Sequence, residues 1–116
     1  MENNPLISII IPAKDTAKYL PDCLDSILKQ TYSNWEVLAV NDGSSDNSLD
    51  VLTSYANRDN RFKVLNNPNP SLLAALRYGY SHSSGTVIQR MDSDDKMPAY
   101  KLEVMLEALI SSGTGS

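Results

Sequence analysis

The chain has 116 residues, 41% of them hydrophobic, which suits one compact domain with a core of ordinary size. Fourteen acidic and ten basic side chains give a formal charge of -4, and the scattered Lys and Arg exclude the clustered basic surface that nucleic acid requires. A single cysteine, Cys23, excludes an internal disulfide, and the longest apolar stretch falls far short of the roughly 20 residues of a membrane span. We therefore expect a cytoplasmic protein.

Four short apolar runs predict strands, at residues 6–11, 35–40, 62–66 and 86–91. The first run, LISIII, is almost continuously apolar and β-branched, a pattern typical of a strand covered on both faces. The last run, TVIQRM, opens with the apolar residues TVI, so we expect a buried strand there too.

Segments with helical spacing of apolar residues predict helices at residues 19–30, 47–58, 71–82 and 99–110. Cys23 falls on the apolar face of the first helix and is expected in the core. Ser45 or Asp46 suits the N-cap of the second helix. The third helix offers these residues for packing: Leu72, Leu73, Ala75, Leu76 and Tyr80.

The alternation of strands and helices predicts an α/β fold, a Rossmann-like doubly wound parallel sheet with right-handed crossovers. In such sheets ligands bind at the carboxyl ends of the strands, near the point where the strand order reverses. Three polar segments follow predicted strands: PAKDTAK the first, NDGSSD the second and DSDD the fourth. We therefore expect residues far apart in sequence to converge on one edge of the sheet.

Three carboxylates, those of Asp92, Asp94 and Asp95, lie within four positions after the fourth predicted strand. Like charges this close repel one another unless a cation shares them, and hard oxygen ligands suit Mg²⁺ or Mn²⁺. Asp is also a common turn residue and N-cap, so a solvated turn is the alternative. The position after a predicted buried strand favours a metal site.

The other two polar segments also allow two interpretations. Asn-Asp-Gly-Ser is ordinary turn chemistry, but the Asp42 carboxylate could accept a hydrogen bond from a nucleobase, and Gly43 would let the backbone come close. Lys14 and Asp15 are either solvated loop charges or contacts to a base and a diphosphate.

Four segments stand in an order and spacing typical of one enzyme family: ISIIIPAKD, YLPDCLDSILKQTYSNWEVLAVNDGSSD, LLAALRYGYSHSSG and QRMDSDDKMP. In them the chain resembles the inverting family 2 glycosyltransferases, which have the GT-A fold. The resemblance covers roughly residues 5 to 110. The Asp-Gly-Ser turn and the Asp-x-Asp-Asp motif carry most of it.

The resemblance implies a role for each polar segment. Asp42 would bind the base of a nucleoside-diphosphate sugar, with a UDP-sugar favoured, and Asp92 would lie near the ribose and sugar. Asp94 and Asp95 would hold the Mn²⁺ or Mg²⁺ that bridges the two phosphates. The implied reaction is an inverting transfer to a hydroxyl of an acceptor glycan or lipid-linked sugar, in polysaccharide, cell-wall or glycoconjugate synthesis. The nucleotide pocket would be lined by Pro12, Ala13, Lys14 and Asp15.

In the family, the catalytic base follows the metal motif at a distance that this chain does not reach. We therefore expect residues 1–110 to form the donor-binding domain, residues 111–116 to be a flexible tail, and the base to lie beyond Ser116. Such a chain would bind the donor without transferring its sugar, and its open sheet edge would favour self-association. The full-length protein would be cytoplasmic or lie at the inner face of the membrane.

Two other functions also fit an α/β domain with acidic loops. A nucleotidyltransferase-like domain would carry a Gly-rich loop after its first strand, whereas PAKDTAK has no glycine. A non-catalytic interaction domain resembling a response regulator would carry an Asp after its third strand, and VLNNPNP has none. Both are alternatives to the glycosyltransferase hypothesis.

Overall fold

Strands and helices alternate along the chain in the computed structural model, which describes residues 4–67 and 71–111. Each element lies where the sequence predicts it, with ends that differ by at most two residues. The elements are β1 (Ile7–Ala13), α1 (Leu20–Leu28), β2 (Trp35–Asn41), α2 (Ser48–Arg58), β3 (Phe62–Asn66), α3 (Leu72–Ser81), β4 (Val87–Arg90) and α4 (Lys101–Ser111).

All strands are parallel, in the order β3-β2-β1-β4, so β1 pairs with both β2 and β4. The order reverses after β3, when the chain crosses back to place β4 on the far side of β1. Helices α1, α2 and α4 contribute to the core on one face of the sheet, and α3 packs on the other. The predicted doubly wound parallel sheet is confirmed, and its switch point lies between β1 and β4.

The main core lies between the sheet and the three helices on its first face. Ile7, Ile9 and Ile11 of β1 are fully buried there, and Ile10 is buried on the opposite face beneath α3. The prediction that β1 is covered on both faces is therefore confirmed. Cys23 is fully buried in the same core, as expected.

Helix α3 contacts the sheet through its smallest residues. Ala75 and Gly79 are buried, and a Cβ added at Gly79 would lie 2.7 Å from Cγ2 of Ile10. The helix therefore lies close to the sheet at these two positions, while several of its larger side chains are exposed. The prediction that they pack was wrong for three of them, since Leu72, Leu73 and Tyr80 are 51%, 58% and 63% exposed.

Strand β4 is shorter and less buried than predicted. It lies at one edge of the sheet, and its residues alternate between partly buried and exposed. Val87 packs against the core, whereas Ile88 is 40% exposed. The expectation of a buried strand before the carboxylates was therefore wrong, because an edge strand has a neighbouring strand on one side alone.

A buried carboxylate links the strands on the α3 side of the sheet. Glu36 is 4% exposed and accepts hydrogen bonds from Ser8 Oγ at 2.6 Å, Lys63 Nζ at 2.8 Å and Ser84 N at 2.6 Å. Burial raises the pKa of Glu36, but the bonds from Lys63, Ser8 and Ser84 together outweigh it and hold the pKa below its ordinary value. This network joins β1, β2, β3 and the turn before β4.

No helix among the described residues is both long and apolar enough to cross a bilayer. Helix α4 extends to Ser111, so the rest of the predicted flexible tail lies outside the described residues.

Candidate functional site

Strand β4 leaves the sheet before β1 and β2 end. Its last paired residue, Arg90, lies opposite Ile10, whereas β1 continues beside β2 until Ala13 lies opposite Asn41. Alternate residues of β1 form backbone hydrogen bonds with β4. Pro12 is the next residue of that series after Ile10, and it has no N–H to donate to β4. The polar segment after β4 therefore begins level with the last residues of β1.

The three carboxylates after β4 form a cluster. Asp92, Asp94 and Asp95 are all exposed, and one carboxylate oxygen from each lies within 4.8 Å of the others. Oxygens that bind the same divalent ion are at most about 4–5 Å apart, so small side-chain rotations would suffice to hold one. The Asp95 N–H also donates to the Asp92 carbonyl at 3.1 Å, so the segment is a turn as well.

A cleft of about 560 Å³ opens beside this cluster. Within it, Arg90 Nη2 lies 3.3 Å from Asp92 Oδ1, an ion pair between half-exposed side chains that contributes little to stability. Carboxylates can hold a cation, and Lys and Arg can bind anionic groups, so the cleft suits a ligand that combines a metal with phosphate. The lining residues are Gln89, Arg90, Met91, Asp92, Asp95, Lys96, Met97 and Lys101.

The buried thiol of Cys23 lies beneath the carboxylates. Its Sγ is 3.7 Å from the Asp92 carbonyl oxygen. Burial raises the pKa of this thiol to about 12, and the charges of Asp95 and Asp94 add to the shift. The thiol therefore stays protonated and unreactive at neutral pH, which fits a packing role.

Asp42 lies directly after β2 and is 6% exposed. Its Oδ1 accepts hydrogen bonds from Asn67 Nδ2 at 2.8 Å and from Ser71 N at 3.0 Å, and its own N–H donates to the Ala13 carbonyl at 2.8 Å. Asp42 thereby links the ends of three strands to the start of α3. Gly43 follows it with a φ of 75°, in the left-handed region that glycine adopts without strain.

The loops after β1 and β2 hold each other in place. One oxygen of Asp15 accepts hydrogen bonds from Ser45 N at 2.6 Å and Asp46 N at 3.2 Å, and Ala17 N donates to Asp46 Oδ2 at 3.2 Å. The Ser45 N–H is the main reason why the pKa of Asp15 lies below its ordinary value. Asp46 Oδ1 also accepts from Ser48 N at 2.9 Å, but Asn47 is the N-cap of α2, so the prediction that Ser45 or Asp46 caps this helix was wrong.

The residues predicted to bind the nucleotide thus lie at the carboxyl ends of three neighbouring strands. Pro12 is partly buried, Ala13 is fully buried, and Lys14 is exposed. Because β2 and β4 flank β1, two strand spacings, about 10 Å, separate the ends of β2 and β4, which Asp42 and Asp92 follow. The placement follows from the fold, whereas the binding roles stay predictions.

Two residues have supporting roles that the sequence interpretation missed. Asn67 supports Asp42 from the end of β3, and nothing but the Asn-rich run NNPN marks it in the sequence. Gln30 is 8% exposed and contacts the backbone after the carboxylates. Its position in the helical series Cys23, Ile27, Gln30 places a polar residue on an apolar face, a signal that could have identified it.

Comparison with known proteins gives consistent matches. The family model described as Glycosyl transferase family 2 matches residues 8–115. Glycosyltransferase GlyG of Streptococcus pneumoniae serotype 4 is 40% identical over 103 residues, which cover 88% of this chain and 34% of GlyG. A chondroitin synthase of Pasteurella multocida is 36% identical over 110 residues, which cover 95% of this chain and 11% of that protein. The chain therefore spans only part of the length of these relatives.

Solved structures match the fold. A TarS fragment of S. aureus superimposes with a TM-score of 0.82 at 25% identity, over 90% of this chain and 32% of that chain, and TarS has also been solved with UDP and with UDP-GlcNAc. The mannosyltransferase PcManGT from Pyrobaculum calidifontis, in complex with GDP-Man and Mn²⁺, gives a TM-score of 0.75 at 23% identity, over 82% of this chain and 29% of that chain. With a GT-A-like fold and a family model that matches residues 8–115, this chain belongs to glycosyl transferase family 2.

Proposed function

We propose that this chain binds a nucleoside-diphosphate sugar together with a divalent ion, as the donor site of a glycosyltransferase. The observation that carries the proposal is the placement of Asp42 and the three-carboxylate cluster on either side of the end of β1, with the cluster next to the switch point of the sheet. A separation of about 10 Å between two strand ends that flank a third is comparable with the length of a nucleoside diphosphate. The base and the phosphates could therefore each reach one of the two acidic sites.

At the β2 end, the Asp42 carboxylate would accept a hydrogen bond from the base. A carboxylate accepts and does not donate, so it suits a base that presents an N–H to it, as N3 of uracil does. The TarS complexes with UDP and UDP-GlcNAc support a UDP-sugar as the donor. Pro12, Ala13, Lys14 and Asp15 would line the nucleotide pocket at the end of β1.

At the β4 end, Asp94 and Asp95 would hold Mn²⁺ or Mg²⁺, and Asp92 would lie near the ribose and sugar. The PcManGT complex with Mn²⁺ supports a divalent ion in this fold. When bound, the ion supplies a Lewis acid that offsets the negative charge of the departing diphosphate. Asp94 and Asp95 would fix the position of the ion beside the cleft.

In the whole protein, we propose that an acceptor hydroxyl of a glycan or lipid-linked sugar displaces the diphosphate with inversion at the anomeric carbon. A general base must take the proton of that hydroxyl.

Calorimetric titration of the chain with UDP, CDP and GDP, each with and without Mn²⁺, tests the proposal. We expect UDP to bind more tightly than CDP, and only in the presence of the ion. Asp94→Asn should weaken Mn²⁺ and UDP binding together, by tenfold or more, while circular dichroism stays unchanged.

The matched control is Asp50→Asn, which removes an exposed carboxylate from the first turn of α2. It should bind both ligands as the original chain does. A correctly folded chain that binds neither Mn²⁺ nor any of the nucleotides would disprove the proposal, as would an Asp94→Asn variant with unchanged affinities.

A further inference from the structure

One side of α1 contacts the backbone of the segment that contains Asp92, Asp94 and Asp95. Cys23, Ser26 and Gln30 are spaced so that they lie along one side of α1 and its continuation. Each contacts the backbone of residues 92–102, which we call the carboxylate segment. The contacts fall on both sides of the turn that contains Asp94 and Asp95.

Gln30 makes the most extensive contact. Its Nε2 donates to the Pro98 carbonyl at 2.6 Å and to the Ser26 carbonyl at 3.2 Å, and its Oε1 accepts from Leu102 N at 3.1 Å. The side chain is 8% exposed, so these bonds are shielded from water. One amide therefore bonds to two points of the carboxylate segment, Pro98 before α4 and Leu102 in the first turn of α4.

Ser26 and Cys23 continue the contact toward the carboxylates. Ser26 Oγ accepts from Met97 N at 3.0 Å and donates to the Cys23 carbonyl at 2.6 Å. Cys23 Sγ lies 3.7 Å from the Asp92 carbonyl. The backbone is thus bonded to α1 before the turn at Asp92 and after it at Met97, while the carboxylates between remain exposed.

We infer that Gln30, assisted by Ser26, is a positioning residue for the divalent ion; this rests on the proposed function. Three neighbouring negative charges repel one another, so a segment held by its own turn alone would spread when no ion is bound. The bonds to α1 fix the segment at both ends. Their role is to hold the carboxylates of Asp94 and Asp95 close enough to share one ion before it arrives.

The test compares Mn²⁺ affinities of folded variants. Gln30→Met keeps a similar volume and loses every side-chain hydrogen bond. We expect it to bind Mn²⁺ about tenfold more weakly, the lower end of the effect of removing residues that support metal ligands. We also expect UDP binding to weaken at limiting Mn²⁺ and to recover at saturating Mn²⁺. A residue that contributed stability alone would not shift the Mn²⁺ affinity of the folded fraction.

The matched control is Thr31→Val, which removes an exposed bond from Thr31 Oγ1 to Glu103 Oε2 but no contact with the carboxylate segment. It should bind Mn²⁺ as the original chain does. Ser26→Ala provides a second variant if Gln30→Met does not fold, with an expected loss of several-fold because it removes one of the anchors.

If folded Gln30→Met binds Mn²⁺ as tightly as the original chain does, the positioning role is overturned and the proposed function is left intact. If Gln30→Met does not fold, the same result with folded Ser26→Ala overturns the positioning role. An original chain that is folded but binds no Mn²⁺ would overturn both.

Discussion

At the residue scale, the side chain of Asn67 determines how the Asp42 carboxylate is held. Asn67 Nδ2 donates to Asp42 Oδ1, and the carboxylate is almost fully buried. A buried charge that loses a hydrogen-bond donor is destabilised, because water cannot replace the donor without opening the structure.

We predict that Asn67→Ala lowers the free energy of unfolding by about 1–3 kcal/mol, the range for hydrogen bonds to charged groups. It should also weaken UDP binding more than Mn²⁺ binding, because Asp42 lies at the end of the site away from the carboxylate cluster. Urea denaturation and calorimetry measure the two effects.

The neighbouring Asn66 provides the control. It accepts an exposed bond from Asn41 Nδ2 at 3.1 Å, so Asn66→Ala should change the free energy of unfolding by less than about 0.5 kcal/mol. Equal effects of the two substitutions would contradict the special role of Asn67.

At this scale, the sequence predicts the charged residues of the site but misses the residues that hydrogen-bond to them or to their backbone. Asp42, Asp92, Asp94 and Asp95 are recognisable because acidic residues directly after predicted strands are chemically conspicuous. Asn67 and Gln30 bond to residues that are distant along the chain. Such partners become apparent only when the strand order is known.

At the element scale, the hydrogen bonds of Glu36 link the strands, and their contribution to the free energy of unfolding depends on pH. The folded-state pKa of Glu36 lies below its ordinary value of 4.5. The ionised form is therefore favoured by folding, so its contribution is fully present above about pH 4.5 and is lost as pH falls through the folded-state pKa.

We predict that Glu36→Gln is less stable than the original chain at pH 7, by about 1–3 kcal/mol, and that this difference shrinks at acidic pH. The measurement is urea denaturation from pH 7 to 3. Subtracting one stability curve from the other removes the titration of carboxylates that both proteins share. A difference that stays constant below pH 4.5 would show that Glu36 does not titrate as the network requires.

The sequence predicts which segments form strands and helices better than it predicts how buried they are. The apolar run of β1 indicates a strand covered on both faces, and β1 is so covered. The same reasoning fails for helix α3 and strand β4. Gly79 brings α3 close to the sheet and leaves larger residues exposed, and β4 is apolar at its start although it lies at an edge. Hydrophobicity along the chain does not encode either arrangement.

At the scale of the whole molecule, the edge position of β4 makes self-association a testable property. An edge strand presents backbone groups that can pair with a second strand, and Ile88 adds an apolar side chain that is 40% exposed.

We predict that the chain associates as its concentration rises, and that Ile88→Lys raises the dissociation constant about tenfold, because charged side chains on edge strands oppose pairing. Sedimentation velocity over a concentration series gives the measurement. Val104→Lys, on the exposed surface of α4, serves as the control and should leave association unchanged. A monomer at every concentration would refute the prediction.

The strand order also determines when each end of the site forms during synthesis. Ile7 lies opposite Trp35 of β2, the next strand along the chain, and opposite Val87 of β4, the last strand. On the ribosome, β1, β2 and β3 can pair while β4 is still being made, so the end that carries Asp42 assembles first. One side of β1 and the bonding groups of Ser26 and Gln30 stay unoccupied until β4 and the carboxylate segment emerge. Pairing partners so far apart in sequence slow folding, so the closing of β4 against β1 should be the late step.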